Sequence, residues 1–138
     1  MLEGGVMEAA VNVWGILLAA VSMFVVGGLW FGLLFARPWQ RAAGVSDEQL
    51  GRGAPLVFGG SFLLSLVAAT SLAFLIGAAG PLFGTIAGLV TGATLVSALL
   101  GVVYLFERRP FRHFAINAGY AIVAFTAMGA IVGALQAG

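Results

Sequence analysis

The sequence predicts an all-α integral membrane protein. It has four transmembrane helices, an antiparallel bundle of two hairpins, and a short surface helix in the first loop. Three observations carry that prediction. The chain of 138 residues is 62% hydrophobic and only 8% charged, where a soluble domain carries about 25% charged residues. Four apolar runs, at 11–35, 56–76, 82–106 and 114–135, are each long enough to span a bilayer, since about 20 residues cross a hydrocarbon core of roughly 30 Å. Every basic residue falls in one of two inter-run segments, the first and the third.

The elements follow in order. Residues 1–10 carry Glu3 and Glu8 and no basic residue. A signal peptide has a positive n-region and a shorter apolar core, so the first run reads as a retained helix. Met7 is an alternative start, because the apolar pattern begins only after it. Asn12 reads as the N-cap of the first helix. The first and third runs exceed the length required, which predicts tilt.

In the first loop, 36–54, Pro38 can open a helix and Trp39 suits the headgroup level. Ser46 and Gln49 have the spacing of a capping box. The second connection, Gly77-Ala78-Ala79-Gly80-Pro81, reads as a tight turn that makes the second and third helices an antiparallel hairpin. The third, 107–112, is equally short. Arg37-Pro38-Trp39 matches Arg109-Pro110-Phe111 at an offset of 72. A parallel duplication of two hairpins would explain that match; so would a common way of leaving a membrane.

Orientation follows from charge. Arg37, Arg41 and Arg52 lie in the first loop, and Arg108, Arg109 and Arg112 in the third. The positive-inside rule places both loops in the cytoplasm and both termini outside, in the cytoplasmic membrane. The chain has no lysine and no cysteine. Disulfides, thiolate metal sites, cysteine nucleophiles and S-palmitoylation are therefore excluded. One histidine, His113, rules out sites that need two. No phosphate-binding, zinc-protease or serine-hydrolase motif occurs. Nucleic-acid binding would need a larger basic face. No cofactor, metal or catalytic residue is expected. The expected partners are membrane lipids and either further copies of the chain or other membrane subunits.

Two sets of residues stand out. The 21 glycines are about twice the usual share of roughly 7%. Gly80, Gly84, Gly88 and Gly92 recur every four residues, and Gly28/Gly32 and Gly129/Gly133 repeat the spacing. Small residues so placed let helix backbones approach closely, within the chain or between copies. The second set is polar. His113, Asn117 and Tyr120 share a face of the fourth helix. At 1.5 Å per residue, Asn117 and Tyr120 lie roughly 5–10 Å inside the boundary. Ser61 and Ser65 lie at similar depth on the second helix; Ser97 and Tyr104 approach from the third and Trp30 from the first. An asparagine amide in hydrocarbon needs partners. This set predicts either interhelical hydrogen bonds or a small polar cavity. Glu107 reads as a surface ion-pair partner of the adjacent arginines.

Several stretches carry a family resemblance. Asn12-Val13-Trp14 opens a helix that ends Gly28-Leu29-Trp30-Phe31-Gly32-Leu33-Leu34-Phe35. Arg37-Pro38-Trp39, Ala42-Ala43-Gly44-Val45 and Ser46-Asp47-Glu48 follow. Tyr104-Leu105-Phe106-Glu107, Ile116-Asn117-Ala118-Gly119-Tyr120 and Met128-Gly129-Ala130-Ile131 stand near the end. From Asn12 to Leu135 the chain resembles the bacterial membrane-protein family catalogued as domain of unknown function seventeen sixty-one. The tryptophan-aromatic helix end and the Asn-Ala-Gly-Tyr stretch are its specific parts. Ala121 departs from it, at a position where the resemblance would place histidine. The resemblance implies a small multi-helix membrane protein and no particular activity.

Three functional classes are consistent with these residues. An enzyme is the weakest, because acid–base or nucleophilic chemistry needs a paired base that the spans do not offer. An ion-coupled transporter would keep an ionisable residue at central depth, and none is there. The expectation is a structural or accessory membrane protein. The alternative is an oligomeric channel or carrier for a small uncharged or lipidic molecule.

Overall fold

The last helix of the chain is the axis on which the other three are laid. This computed structural model describes residues 11–137, so the acidic tail and Met7 lie outside the described residues. Four helices are long and apolar enough to cross a membrane: α1 (Val13–Leu34), α4 (Ala54–Ile76), α5 (Pro81–Phe106) and α6 (Phe111–Gln136). Two short helices, α2 (Ala36–Ala43) and α3 (Asp47–Gly51), occupy the first loop. No strand occurs among the described residues.

Local chemistry sets the helix ends. Asn12 caps α1, its Oδ1 accepting from Trp14 N at 2.8 Å and Gly15 N at 3.2 Å. The capping box at Ser46 and Gln49 is formed and starts α3. Pro81 opens α5 and Pro110 precedes α6, positions where a missing N–H costs nothing. α2 and α5 end alike, with a left-handed residue after the last turn: Gly44 at φ 72° and Arg108 at φ 60°. Each is followed by a bond from the next N–H to a carbonyl five residues back, Val45 to Gln40 and Arg109 to Tyr104, which satisfies an otherwise orphaned acceptor.

α6 touches α1, α4 and α5. α4 also packs on α1, where Phe24 meets Phe58 and Phe62 edge-on at 6.0 Å. Contact between α4 and α5 is slight. Among the described residues, the extensive packing is of α5 on α6 and of α1 on α4 and α6. The turn is tight, with Gly77 and Gly80 both at positive φ, but α5 does not lie along α4. It turns to α6 instead, because that is where its glycines find glycines. Outward-facing Leu33, Leu56, Leu82 and Leu105 are 73–79% exposed, the surface of a bundle solvated by hydrocarbon rather than water.

The α5–α6 contact is backbone on backbone. Gly84 faces the Gly129 carbonyl, Gly88 the Phe125 carbonyl and Gly92 the Ala121 carbonyl, and a Cβ at Gly84 or Gly88 would overlap the atom it faces. Gly133 lies over Gly80 and Pro81 in the same way. The two helices run antiparallel along this seam. In lipid no hydrophobic force drives helices together, so close van der Waals packing must do so. Gly28 and Gly32 have no neighbour within 4 Å of where a Cβ would stand. Among the described residues, then, that pair packs against no other helix of the same chain; α1 meets α6 at Gly15 and Gly27, which face Leu135 and Tyr120.

At the end of the bundle remote from the arginines, one amide ties three helices. Gln136 is 4% exposed. Its Nε2 donates to Ala73 O at 3.0 Å and Gly77 O at 2.9 Å, and its Oε1 accepts from Asn12 N at 3.0 Å. It closes α6 onto the last turn of α4 and the first of α1.

Both features are testable by thermal unfolding in detergent. Gly88→Ala should destabilise by about 1–3 kcal/mol, the usual cost of overpacking, whereas Gly28→Ala should be neutral or stabilising by up to about 1 kcal/mol from helix propensity. Equal melting temperatures for the two variants would remove the close seam. Gln136→Leu deletes three hydrogen bonds worth about 0.6 kcal/mol each in a membrane bundle, so a loss of about 1–2 kcal/mol is expected; an unchanged melting temperature would mean the clamp holds nothing.

Candidate functional site

Hydroxyl groups in the spans are largely used by their own helices. Ser65, Thr70, Ser71, Thr85, Thr91, Thr94 and Thr126 each donate to the carbonyl four residues back. That back-bonding is how a hydroxyl is satisfied in hydrocarbon. It removes Ser61 and Ser65 from the polar cluster read from the sequence. Ser61 is exposed, and the buried Ser65 hydroxyl bonds the Ser61 carbonyl. Ser97 is drawn away as well: its Oγ donates to Gly92 O at 2.6 Å, five residues back. That bond lies where α5 widens to a π-helical turn over Thr91–Val96. Ser65 and Ser97 thus turn their hydroxyls to their own helices, and no bond ties Ser61 to the cluster among the described residues.

Tyr104, His113 and Asn117 do come together; Tyr120, one turn on, bonds elsewhere. Asn117 Nδ2 donates to Tyr104 Oη at 2.8 Å and lies 3.2 Å from His113 Nε2. An amide N–H cannot accept, so Nε2 accepts and the neutral imidazole carries its hydrogen on Nδ1. The His113 ring also stands edge-on to Tyr104, centroids 4.4 Å apart. His113 is buried in the first turn of α6, which begins at Phe111 directly after Pro110. Among the described residues, two buried atoms of this cluster have no hydrogen-bond partner: Asn117 Oδ1 and His113 Nδ1. An orphaned buried polar atom typically costs about 1–3 kcal/mol.

The stretch 116–120 meets the end of α1. Trp30 Nε1 donates to Ile116 O at 2.8 Å. The absent side chain of Gly119 makes room for the indole: a Cβ there would lie 2.9 Å from Trp30 Cζ2. Tyr120 Oη donates to Met23 O at 3.1 Å, and its ring packs on Phe31, which packs on Trp39. Trp30 and Phe31 belong to a second π-helical turn, Trp30–Leu34. The two most specific stretches of the sequence thus touch each other.

Beside them lies a groove of about 360 Å³. α6 forms its floor with Asn117, Tyr120, Ala121 and Phe125. α1 supplies Met23 and Phe31, α5 supplies Val96, Leu100 and Tyr104, and Trp39 of α2 closes one end. The groove exists because α1 and α5 make little direct contact while both lean on α6. Each π-helical turn contributes a residue to it, Phe31 and Val96. Such turns insert one extra residue into a helix and gather at functional sites.

The arginines collect at the Trp39 end. Arg109 pairs with Glu107 at 3.3 Å and donates through Nη1 to Ala43 O at 3.2 Å, joining the third loop to the first. Arg52 lies 4.0 Å from Glu48. Arg37 and Arg41 lie one turn apart on α2 with Gln40 and Asp47 near them, and Arg108 and Arg112 are exposed. The offset of 72 pairs Pro38 with Pro110, each near a helix start. It does not superpose the π-helical turns.

Four apolar helices with their large side chains outward define a multi-pass membrane protein. The chain belongs to the family described as Protein of unknown function (DUF1761), which matches residues 14–133. No curated protein and no solved structure matches the chain.

The contact of Trp30 with α6 makes a local prediction. In a protein whose only tryptophan is Trp30, with Trp14 and Trp39 replaced by Phe, Gly119→Ala should push the indole off Ile116 O and shift its fluorescence. An emission spectrum identical to that of the Gly119 parent would show that the ring does not depend on the glycine.

Proposed function

We propose that the protein is a non-catalytic accessory component of the bacterial cytoplasmic membrane, acting by packing and binding rather than by bond chemistry. The observation that carries this reading is how the polar groups of the spans are engaged. Hydroxyls bond their own helices, and Trp30, Tyr120 and Gln136 bond carbonyls of neighbouring ones. His113 contacts an amide and a phenol ring but no carboxylate or nucleophile. What remains for a second molecule is the groove between α1 and α5.

A second reading is a carrier or oligomeric channel for a small uncharged or lipidic molecule. The position of the groove favours the lipidic carrier within that class. It lies between α1 and α5, and its lining is mostly apolar and aromatic.

In this reading the loops that bear Arg37, Arg41, Arg52, Arg108, Arg109 and Arg112 face the cytoplasm and both termini face outward, with α2 lying at the membrane surface. Anionic inner-leaflet lipids attract such residues, and the Arg109–Ala43 bond holds both loops at one end of the bundle. A reporter active only outside the cytoplasm should work when inserted at 77–80 and fail at 44–53. The reverse pattern would overturn the orientation.

A further inference from the structure

We infer that the groove holds one acyl chain of an anionic phospholipid whose phosphate lies against Arg109; this rests on the groove being a binding site, as proposed above. Two neighbouring features carry the inference, an apolar lining and a cationic end. Met23, Phe31, Leu100 and Phe125 dominate the lining, and no acidic or basic side chain takes part in it. Its polar groups are turned to protein: Tyr120 Oη donates to Met23 O, and Asn117 Nδ2 donates to Tyr104 Oη. Such a surface suits hydrocarbon and offers a charged head no counter-charge. A volume of about 360 Å³ lies at the small end of ligand sites, which run from roughly 300 to 1,000 Å³. That is room for a chain rather than for a whole phospholipid, so the head must lie beyond the groove.

Arg109 stands where two lining elements come together at the Trp39 end. Its backbone N–H donates to the carbonyl of Tyr104, a lining residue, at 2.9 Å. Its Nη1 donates to Ala43 O at 3.2 Å, and Ala43 lies four residues after Trp39, one turn along the same face of α2. The guanidinium thus reaches from the end of α5 to α2, with its Nε held by Glu107. Arginine has five N–H groups, so others remain for a further partner, and this side chain is 39% exposed. Guanidinium and phosphate form short, charge-assisted hydrogen bonds. The surroundings favour the same sign of ligand. Six arginines occupy the two loops at this end, against three carboxylates, Asp47, Glu48 and Glu107, so a lipid of net negative charge is preferred to a zwitterionic one.

The test uses the purified full chain in phosphatidylcholine nanodiscs that carry a trace of one probe lipid. The probe is phosphatidylglycerol or phosphatidylcholine, each with the same mid-chain diazirine. After illumination, peptide mass spectrometry maps the labels. Phosphatidylglycerol should label Met23, Phe31 or Leu100 well above the exposed Leu63, and about fivefold more than phosphatidylcholine does, the effect of one arginine beside an anionic head. This comparison on the unaltered chain needs no variant. Arg109→Gln should abolish the preference while phosphatidylcholine labelling stays as it was, which also shows that the variant is folded. Arg52→Gln, whose partner is the exposed Glu48, should keep it. Val96→Phe fills the groove and should lower labelling by both lipids. If the two lipids label the groove equally, if Arg109→Gln keeps the preference, or if Arg52→Gln abolishes it as well, the phosphate seat is overturned and the groove remains a chain site. If neither lipid labels the groove above Leu63, or Val96→Phe keeps its melting temperature and its labelling, both readings fall together.

Discussion

The seam between α5 and α6 is the contact on which the rest of the arrangement depends. In water a bundle is pressed together by the hydrophobic effect. In lipid the outside is as apolar as the inside, and helices stay together only where atoms meet more closely than lipid can meet either one. Gly84, Gly88, Gly129 and Gly133 provide such a place, because their backbones touch with nothing between. α5 is thereby committed to one face of α6. α1 takes another, with Gly15, Ala19 and Ala20 buried against its neighbours. The groove is what lies between these two commitments.

Much of this was legible in the sequence, and the parts that were not share a cause. The four helices follow from apolar run length, a property that survives any packing. α6 starts earlier than its apolar run because Pro110 fixes the start while Arg112 and His113 are polar. The association of Tyr104, His113 and Asn117 was readable from depth and helical face. Ser61, Ser65 and Ser97 passed the same depth criterion, yet the Ser65 and Ser97 hydroxyls turn into their own helices, a choice decided at the level of one torsion, and Ser61 is exposed. Gly28 and Gly32 have the spacing of a packing pair, but spacing does not say whether a partner arrives. Neither π-helical turn has a signal in composition or periodicity. Gln136 was missed, although a lone amide at the outer end of an apolar run is the same signal that singled out Asn12.

The specific stretches of the family now have physical roles. Trp30 needs a carbonyl and a flat surface, which Ile116 and Gly119 supply. Phe31 needs a ring, which Tyr120 supplies. Asn117 needs an acceptor, and Tyr104 stands opposite. Four positions within five residues of α6 thus serve three neighbours, Trp30, Phe31 and Tyr104. The same segment forms the floor of the groove, so whatever occupies it would read the pattern directly.

The central position of α6 also has a temporal side. It is the last of the four helices in chain order, yet it is the partner that α5 relies on and the one whose Gln136 joins α1 to α4. During synthesis α1 and α4 can pair as soon as both are inserted. α5 then stands in the bilayer with its glycine face unmatched until α6 emerges. Until α6 is present, the chain presents to the membrane the close-packing glycine face that the finished bundle hides.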